Sequence, residues 1–561
     1  MVESLEARAG CPRFRGKVLM DDLRAALASI NAERLLEHIK ILASDEFEGR
    51  QPGTTGEERT LAYLQEQCQA IGLTGAGTGG SYFQDVPVTG YRATSSLEFK
   101  SDEGGGGNGE SLKPTVLEDY VAMTRHPSAS LKNLDMLFVG YGIDAPEYGW
   151  NDYKGVDVHG KLLVILVGDP RRPDPHDPSK LDDTFFRGNA LTYYGRWTYK
   201  YEIGSKLGAA AVLIVHNTAG AGYAFDVVRT SWGGENFNLS ADDEHRIRAE
   251  GWITGETAEK LAALGGHDWK KLFEAAQQQD FRPVELNVKA SIDIENAARH
   301  FNTRNVVATI RGEDPKVADE CIVYSAHWDH FGKREKDGVV TGIFSGAVDN
   351  GSGVSTILEI ARAFHLAPPP RRTILFLFTT LEESGLLGAQ FYVKNPLIPL
   401  DKTVAIINVD VMNVWGRTRK VVSIGQGHSD IDDVLAAEAA KQGRTITVDP
   451  EPDKGSFYRS DHLEFMRRGV PAIFFLHPGA DFIDKPADFA AQKRKQYITQ
   501  DYHKFSDKVK PDWDLSGLVE DTQLLFLAGM DIAQASSLPQ WYPKSEFASA
   551  RPPKVKTKQS P

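Results

Sequence analysis

Two adjacent glutamates, Glu382 and Glu383, close the apolar run Ile374-Leu-Phe-Leu-Phe-Thr-Thr-Leu381. Neighbouring side chains on a strand point to opposite faces, so two useful acids in a row require that the chain has just left its strand. One of them could then hold a metal while the other moves protons. Four more residues of suitable chemistry stand nearby in the chain. His327 lies in Ser325-Ala-His-Trp-Asp-His330, Asp349 in Gly346-Ala-Val-Asp-Asn-Gly-Ser-Gly353, Asp410 in Ile407-Asn-Val-Asp-Val-Met-Asn413, and His503 in Asp501-Tyr-His-Lys-Phe-Ser-Asp507. Taken singly each has a plainer reading; Asp349, for instance, could cap the helix that follows it. Together they give His, Asp, Glu, Asp, His, with Glu382 to spare. Two imidazoles and three carboxylates suit a pair of zinc ions. Two such ions bring four positive charges; three carboxylates and a bridging hydroxide bring four negative ones, and near neutrality lowers the cost of burial.

The elements that must position these residues are predicted from period and composition. Strands are expected over Val306–Ile310, Cys321–Ser325, Thr373–Phe378, Val404–Val409 and Ala472–Leu476, with helices such as Val354–Phe364 and Asp432–Lys441 between them. That alternation predicts an α/β fold, a mixed sheet flanked by helices. Ligands bind such sheets at the carboxyl ends of the strands, where His327, Glu382, Glu383 and Asp410 all fall. Upstream, helical spacing runs from Asp21 to Ala43 and again from about Glu57 to Ile71, and the glycine run Gly104–Gly107 reads as a loop. From about Met136, short apolar strands alternate with loops rich in Pro, Asp and Gly, as in an inserted β-rich domain. The expected division is 1–130 and 294–547 for the catalytic domain, 131–293 for the insert, and 548–561 for a disordered tail.

The chain has 561 residues, 41% hydrophobic and 25% charged, with a net charge of −13. These are the proportions of a soluble globular protein, and the acidic balance disfavours nucleic acid as a partner. No apolar stretch is long enough to span a bilayer. The first residues lack the basic start and apolar core of a secretory signal, so the default expectation is cytoplasmic, with a periplasmic or secreted location as the alternative. Cys11, Cys68 and Cys321 form no disulfide framework or metal-binding spacing.

The run from His327 to His503 closely resembles the dizinc aminopeptidases of peptidase family M28. It does so through Ser-Ala-His-Trp-Asp-His330, Gly-Ala-Val-Asp349-Asn-Gly-Ser-Gly, Leu-Glu382-Glu383-Ser-Gly-Leu-Leu-Gly, Asn-Val-Asp410-Val-Met-Asn, Tyr-Arg-Ser-Asp-His462 and Asp-Tyr-His503. The segment Leu42-Ala-Ser-Asp-Glu-Phe-Glu-Gly-Arg-Gln-Pro-Gly-Thr-Thr-Gly-Glu57 is similar to that family's opening. The insert, with Val139-Gly-Tyr-Gly-Ile143 and Asp152–Lys161, is similar to its protease-associated domain. The resemblance implies that Asp349 bridges two zinc ions, with His327 and Asp410 completing one and Glu383 and His503 the other. It makes Glu382 the general base and Asp329 a support for the His327 imidazole. It makes Tyr502 a donor to the developing oxyanion, and it implies a cis Asp349–Asn350 peptide. Ser325 and Val348 depart from the family's usual residues without removing a ligand.

The expected activity is that of an aminopeptidase acting on peptides, with the insert limiting which substrates enter. A carboxypeptidase or acyl-amino-acid hydrolase would use the same metals. A glutaminyl-cyclase-like reaction or a non-catalytic receptor is disfavoured, because such relatives generally lose ligands and this chain keeps them all.

Overall fold

The computed structural model describes residues 17–102, 109–240 and 247–550. The glycine run Gly104–Gly107, Cys11, the first residues and the tail beyond residue 550 lie outside the described residues. The chain divides into two compact units. Unit 1 comprises Met1–Val86, Asn302–Pro450 and Arg459–Pro561, and unit 2 comprises Pro87–Phe301 and Glu451–Tyr458.

Unit 1 is built on a mixed sheet. Its strands are the last residues of β1 (Val284–Ile310), β2 (Cys321–His327), β3 (Thr373–Thr379), β4 (Thr403–Asp410) and β5 (Ala472–Leu476). Their order across the sheet is β5-β4-β2-β3-β1. β2 runs parallel to β3 and β4, β4 runs parallel to β5, and β1 pairs antiparallel with β3. Every residue of β2, β3 and β4 is buried, as expected where helices cover both faces of a parallel sheet. That is why these strands read as continuous apolar runs rather than alternating ones.

Helix α1 (Gly353–Leu366) packs on one face, where Phe364 meets Tyr324, Phe376 and the Phe526 ring of α2 (Ser516–Gln534). Each such side chain, fully buried, contributes about 1.5–3 kcal/mol. The helical stretch expected over Asp21–Ala43 is two helices, Lys17–Ser29 and Ala32–Leu42. Asn31 breaks it, its side chain accepting the Arg34 N–H as the cap of the second helix.

Unit 2 takes in more chain than the expected 131–293, because the strand Phe83–Ser101 already pairs there with Asn236–Leu239. Its central strands Ser128–Phe138, Leu162–Leu166, Ala211–Val215 and Ala249–Ile253 run parallel to one another in that order. Helices Trp197–Lys206, Gly255–Leu264 and Trp269–Ala276 are also part of it, so it is α/β rather than purely β-rich. The Lys200 ammonium is buried inside and donates to the carbonyls of Tyr141, Gly168 and Tyr194.

Candidate metal centre

The parallel strands β2, β3 and β4 deliver their acids and imidazoles to one edge. His327 is the last residue of β2, opposite Thr379 of β3, and Asp410 is the last of β4. Beyond β3 the chain turns at Leu381, whose φ of 54° is left-handed, and so releases both Glu382 and Glu383 from strand alternation. Val411 (φ 49°) and His503 (φ 57°) are left-handed too. Such conformations are costly for residues with a side chain and persist where the surroundings enforce them. At Leu381, Val411 and His503, beside or at the ligand candidates, the backbone is held against its preference. Asp349 lies in the turn Ala347–Ser352 that leads into α1, and the Asp349–Asn350 peptide is cis.

The carboxylate of Asp349 is divided between two histidines. Its Oδ1 lies 3.2 Å from His327 Nε2, and its Oδ2 lies 3.3 Å from His503 Nε2. His327 Nε2 is also 3.4 Å from Asp410 Oδ1, and His503 Nε2 is 3.1 Å from Glu383 Oε2. Ligand atoms bound at about 2.0–2.1 Å to a tetrahedral zinc stand about 3.3 Å apart, and all four distances fall near that value. Neither ring nitrogen of His503 has a hydrogen-bonding partner among the described residues, although both are buried. Its contacts with Asp349 and Glu383 are therefore off hydrogen-bond direction. His327, Asp349 and Asp410 form one cluster of ligand type, and Asp349 and Glu383 form a second with His330 rather than with the expected His503. The residues fit a pair of zinc ions sharing Asp349.

The electrostatics of the edge point the same way. Burial works against a charged His327, but the Glu382 and Asp410 carboxylates outweigh it and hold the imidazole well above its ordinary range. For His503 burial is likewise outweighed, chiefly by Glu383 and Asp349, and its value rises to about 9. Asp349 is buried too, yet the two imidazoles keep it well below the usual carboxylate range. Carboxylates crowded into a dry site call for positive charge, which zinc would supply. Glu382 behaves differently. Burial, with Asp410, Glu383 and Asp461 around it, pushes its carboxyl well above the usual range against the pull of His327. It stands 3.9 Å from His327 Nε2.

The structure places the supporting groups atom by atom. His327 Nδ1 is held by the backbone carbonyl of Asp329 at 3.2 Å, whereas the Asp329 carboxylate is 3.7 Å away and accepts the Glu382 N–H instead. Tyr502 stacks on the His503 ring with centroids 3.8 Å apart. Burial and the nearby Asp349 and Glu383 raise its phenol well above the ordinary range, so it keeps its proton.

Several residues were not singled out in the sequence. Asp507 accepts the N–H groups of Val348 and Asp349, both at 3.0 Å, and the Tyr497 hydroxyl. Ser460 donates to Asp410 Oδ2 and accepts from Asn408, which in turn accepts from Ser325. The wholly buried Arg50 guanidinium donates to the carbonyls of Leu42, Trp328, Ser345 and Gly346. It thereby ties the backbone beside His327 to the backbone before Asp349. His330 and Ser460 do lie inside the quoted motifs. Arg50 and Asp507 also lie inside quoted runs, Leu42–Glu57 and Asp501–Asp507, but no spacing signal ties them to the ligand candidates.

Comparison with known proteins bears on this edge directly. Residues 305–527 match the model of peptidase family M28. The chain is similar to "Probable glutamate carboxypeptidase AMP1" of Arabidopsis thaliana, 27% identical over 64% of this chain and 48% of that protein. It is also similar to "Leucine aminopeptidase 1" of Trichophyton rubrum, 31% identical over 36% of this chain and 57% of that one. The chain thus spans about half the length of the curated relatives it matches. Among solved structures, an aminopeptidase from Aneurinibacillus sp. strain AM-1 shares the fold, with a TM-score of 0.53, 18% identity, and coverage of 91% of this chain and 96% of that one. The stretch that matches the model of peptidase family M28, residues 305–527, carries both imidazole–carboxylate clusters.

Proposed function

We propose that the chain is a zinc-dependent aminopeptidase that removes N-terminal residues from peptides. The observation that carries this reading is the division of Asp349 between His327 and His503 at ligand spacing. His327, Asp349 and Asp410 would hold one zinc ion, and Asp349, Glu383 and His503 the other. Bound there, zinc supplies Lewis acidity that makes water a nucleophile near neutral pH.

The chain's own residues do the rest. The Asp329 carbonyl accepts the His327 Nδ1–H and so directs the Nε2 lone pair toward the metal side. Glu382 takes the proton of the attacking water on its carboxylate and passes it to the leaving amine. Its raised affinity for protons, from burial and neighbouring acids, brings it toward the range such a shuttle needs. The Tyr502 hydroxyl, which stays protonated, donates to the carbonyl oxygen as negative charge develops there. Unit 2 we read as a protease-associated domain that limits substrate choice, on the motifs Val139–Ile143 and Asp152–Lys161.

A carboxypeptidase is the second reading. The similarity to the glutamate carboxypeptidase covers 64% of this chain against 36% for the leucine aminopeptidase, and the same metal edge would serve it. Hydrolysis of paired peptides, free and N-acetylated, before and after chelation and zinc return, separates the two. Zinc-restored cleavage of the free-amine peptides alone supports the aminopeptidase. Release of C-terminal residues, or cleavage of both, supports the second reading.

A further inference from the structure

Three imidazoles meet the carboxylates of this edge, and two of them, His327 and His503, stand 3.1–3.4 Å from the carboxylate oxygens they face. His330 is the third. Its Nδ1 lies 2.6 Å from Glu383 Oε1. Two atoms bound to one tetrahedral zinc would be about 3.3 Å apart, so 2.6 Å is too short for a shared ion. It is the length of a strong, charge-assisted hydrogen bond. The other oxygen of the same carboxylate, Oε2, faces His503 Nε2 at 3.1 Å. Glu383 therefore offers its two oxygens to two different chemistries.

The surroundings of His330 fix which nitrogen carries the proton. The side chain is fully buried, with its ring against Phe331 and Phe344 at centroid distances of 5.1 and 6.4 Å. Its Nε2 has no hydrogen-bonding partner among the described residues. A proton on Nε2 would strand a buried N–H and set the Nδ1 lone pair against Glu383 Oε1. A proton on Nδ1 leaves only a lone pair without a partner and makes the 2.6 Å contact a hydrogen bond.

We propose that His330 is a positioning residue: its Nδ1–H pins Glu383 Oε1, so that Glu383 presents Oε2 alone to the metal ion on the His503 side. This role rests on the metal reading above. It makes His330 specific to one half of the pair, since the carboxylate it bonds, Glu383, faces His503 with its other oxygen. It also predicts which replacement suffices. An asparagine amide nitrogen falls near the position of Nδ1, whereas phenylalanine keeps the ring and the packing but has no donor.

The test is zinc titration of the full, metal-stripped chain against a competing chelator, resolving two affinities, with thermal melting of each variant as the check of folding. His330→Phe should weaken one affinity by about tenfold to a hundredfold, the usual effect of removing a group that orients a ligand, and leave the other within about threefold. His330→Asn should restore both. If His330→Phe does not fold, His330→Asn decides alone: two affinities close to wild type support the role, and loss of one ion overturns it. Unchanged affinities in His330→Phe overturn it, as does equal weakening of both. Complete loss of one ion that His330→Asn fails to restore would make His330 a ligand rather than a positioning residue. A wild-type chain that takes up fewer than two zinc ions would overturn the metal reading, and this role with it. Two ions bound by wild type with His330→Phe unaffected would overturn this role alone.

Discussion

Replacing Asp349 by alanine tests the centre most directly, because this one side chain is divided between both halves of it. Its Oδ1 stands 3.2 Å from His327 Nε2 and its Oδ2 3.3 Å from His503 Nε2. The variant therefore removes one of three protein ligands from each ion. A four-ligand structural zinc site binds with about 10–16 kcal/mol, or about 2.5–4 kcal/mol per ligand. At about 1.4 kcal/mol per factor of ten, each zinc affinity should fall by about two to three powers of ten. The backbone at this position is held independently by Asp507, which accepts the Asp349 N–H, so the turn should survive the change. Zinc per chain is measured after dialysis against graded chelator, with Asp410→Ala alongside as a variant expected to weaken one ion only. Retention of one ion at wild-type affinity in Asp349→Ala would show that the carboxylate serves a single half. Retention of both would refute the shared-ligand argument outright.

Glu382→Gln should keep both zinc ions and lose about 10²–10⁴ in turnover, the contribution of a general base; near-normal turnover would remove Glu382 from that role. Arg50→Lys should lower stability by about 2–4 kcal/mol in urea unfolding, since one ammonium cannot replace a planar fork bonded to four carbonyls. An unchanged midpoint would mean those carbonyls find other donors. Asp432 lies away from the metal edge and gives a dependence on pH. Burial pushes its carboxyl up to about 6, against the Gly427 N–H that donates to it. A raised value means that the folded state binds the proton more tightly. Its stabilisation is thus full below about pH 4 and lost as pH rises through about 6, a change of roughly 1–3 kcal/mol at about 1.4 kcal/mol per unit. Asp432→Asn should accordingly gain on wild type between pH 4 and pH 7.5 in urea midpoint; equal midpoints at both values would show that the carboxyl is not perturbed.

The sheet of unit 1 was legible because its central strands are buried on both faces. Thr373–Thr379 and Thr403–Asp410 are largely apolar and wholly buried, and the strands predicted at these places differ from the observed ones by a residue or two at most. β1 is the exception. Only its final residues, Val306–Ile310, read as a buried run, whereas the strand begins at Val284, where exposed and buried residues alternate and periodicity competes with loop composition. The break at Asn31 was hidden for a related reason: apolar spacing continues across it, and a capping side chain counts in sequence only once the turn is known.

Four of the ligand candidates, His327, Asp349, Glu383 and Asp410, could be read from the chain because each ends or follows a strand or precedes a helix, and that placement is written locally, whereas His503 follows the helix Phe489–Gln500. Their mutual distances could not, since residues more than 150 positions apart, such as His327 and His503, meet only through the packing of the sheet and its helices. The same holds for the groups that support them. Asp329 was expected to support the His327 imidazole, and the folded chain decides that it does so through its carbonyl while its carboxylate accepts the Glu382 N–H. His330 stood in plain view beside the first ligand. Sequence determined that an imidazole would be there; only the tertiary structure, by setting Nδ1 at 2.6 Å from one oxygen of Glu383, decided that it donates a hydrogen bond. Residue type fixes what a group can do, and three-dimensional distance fixes which of those things it does.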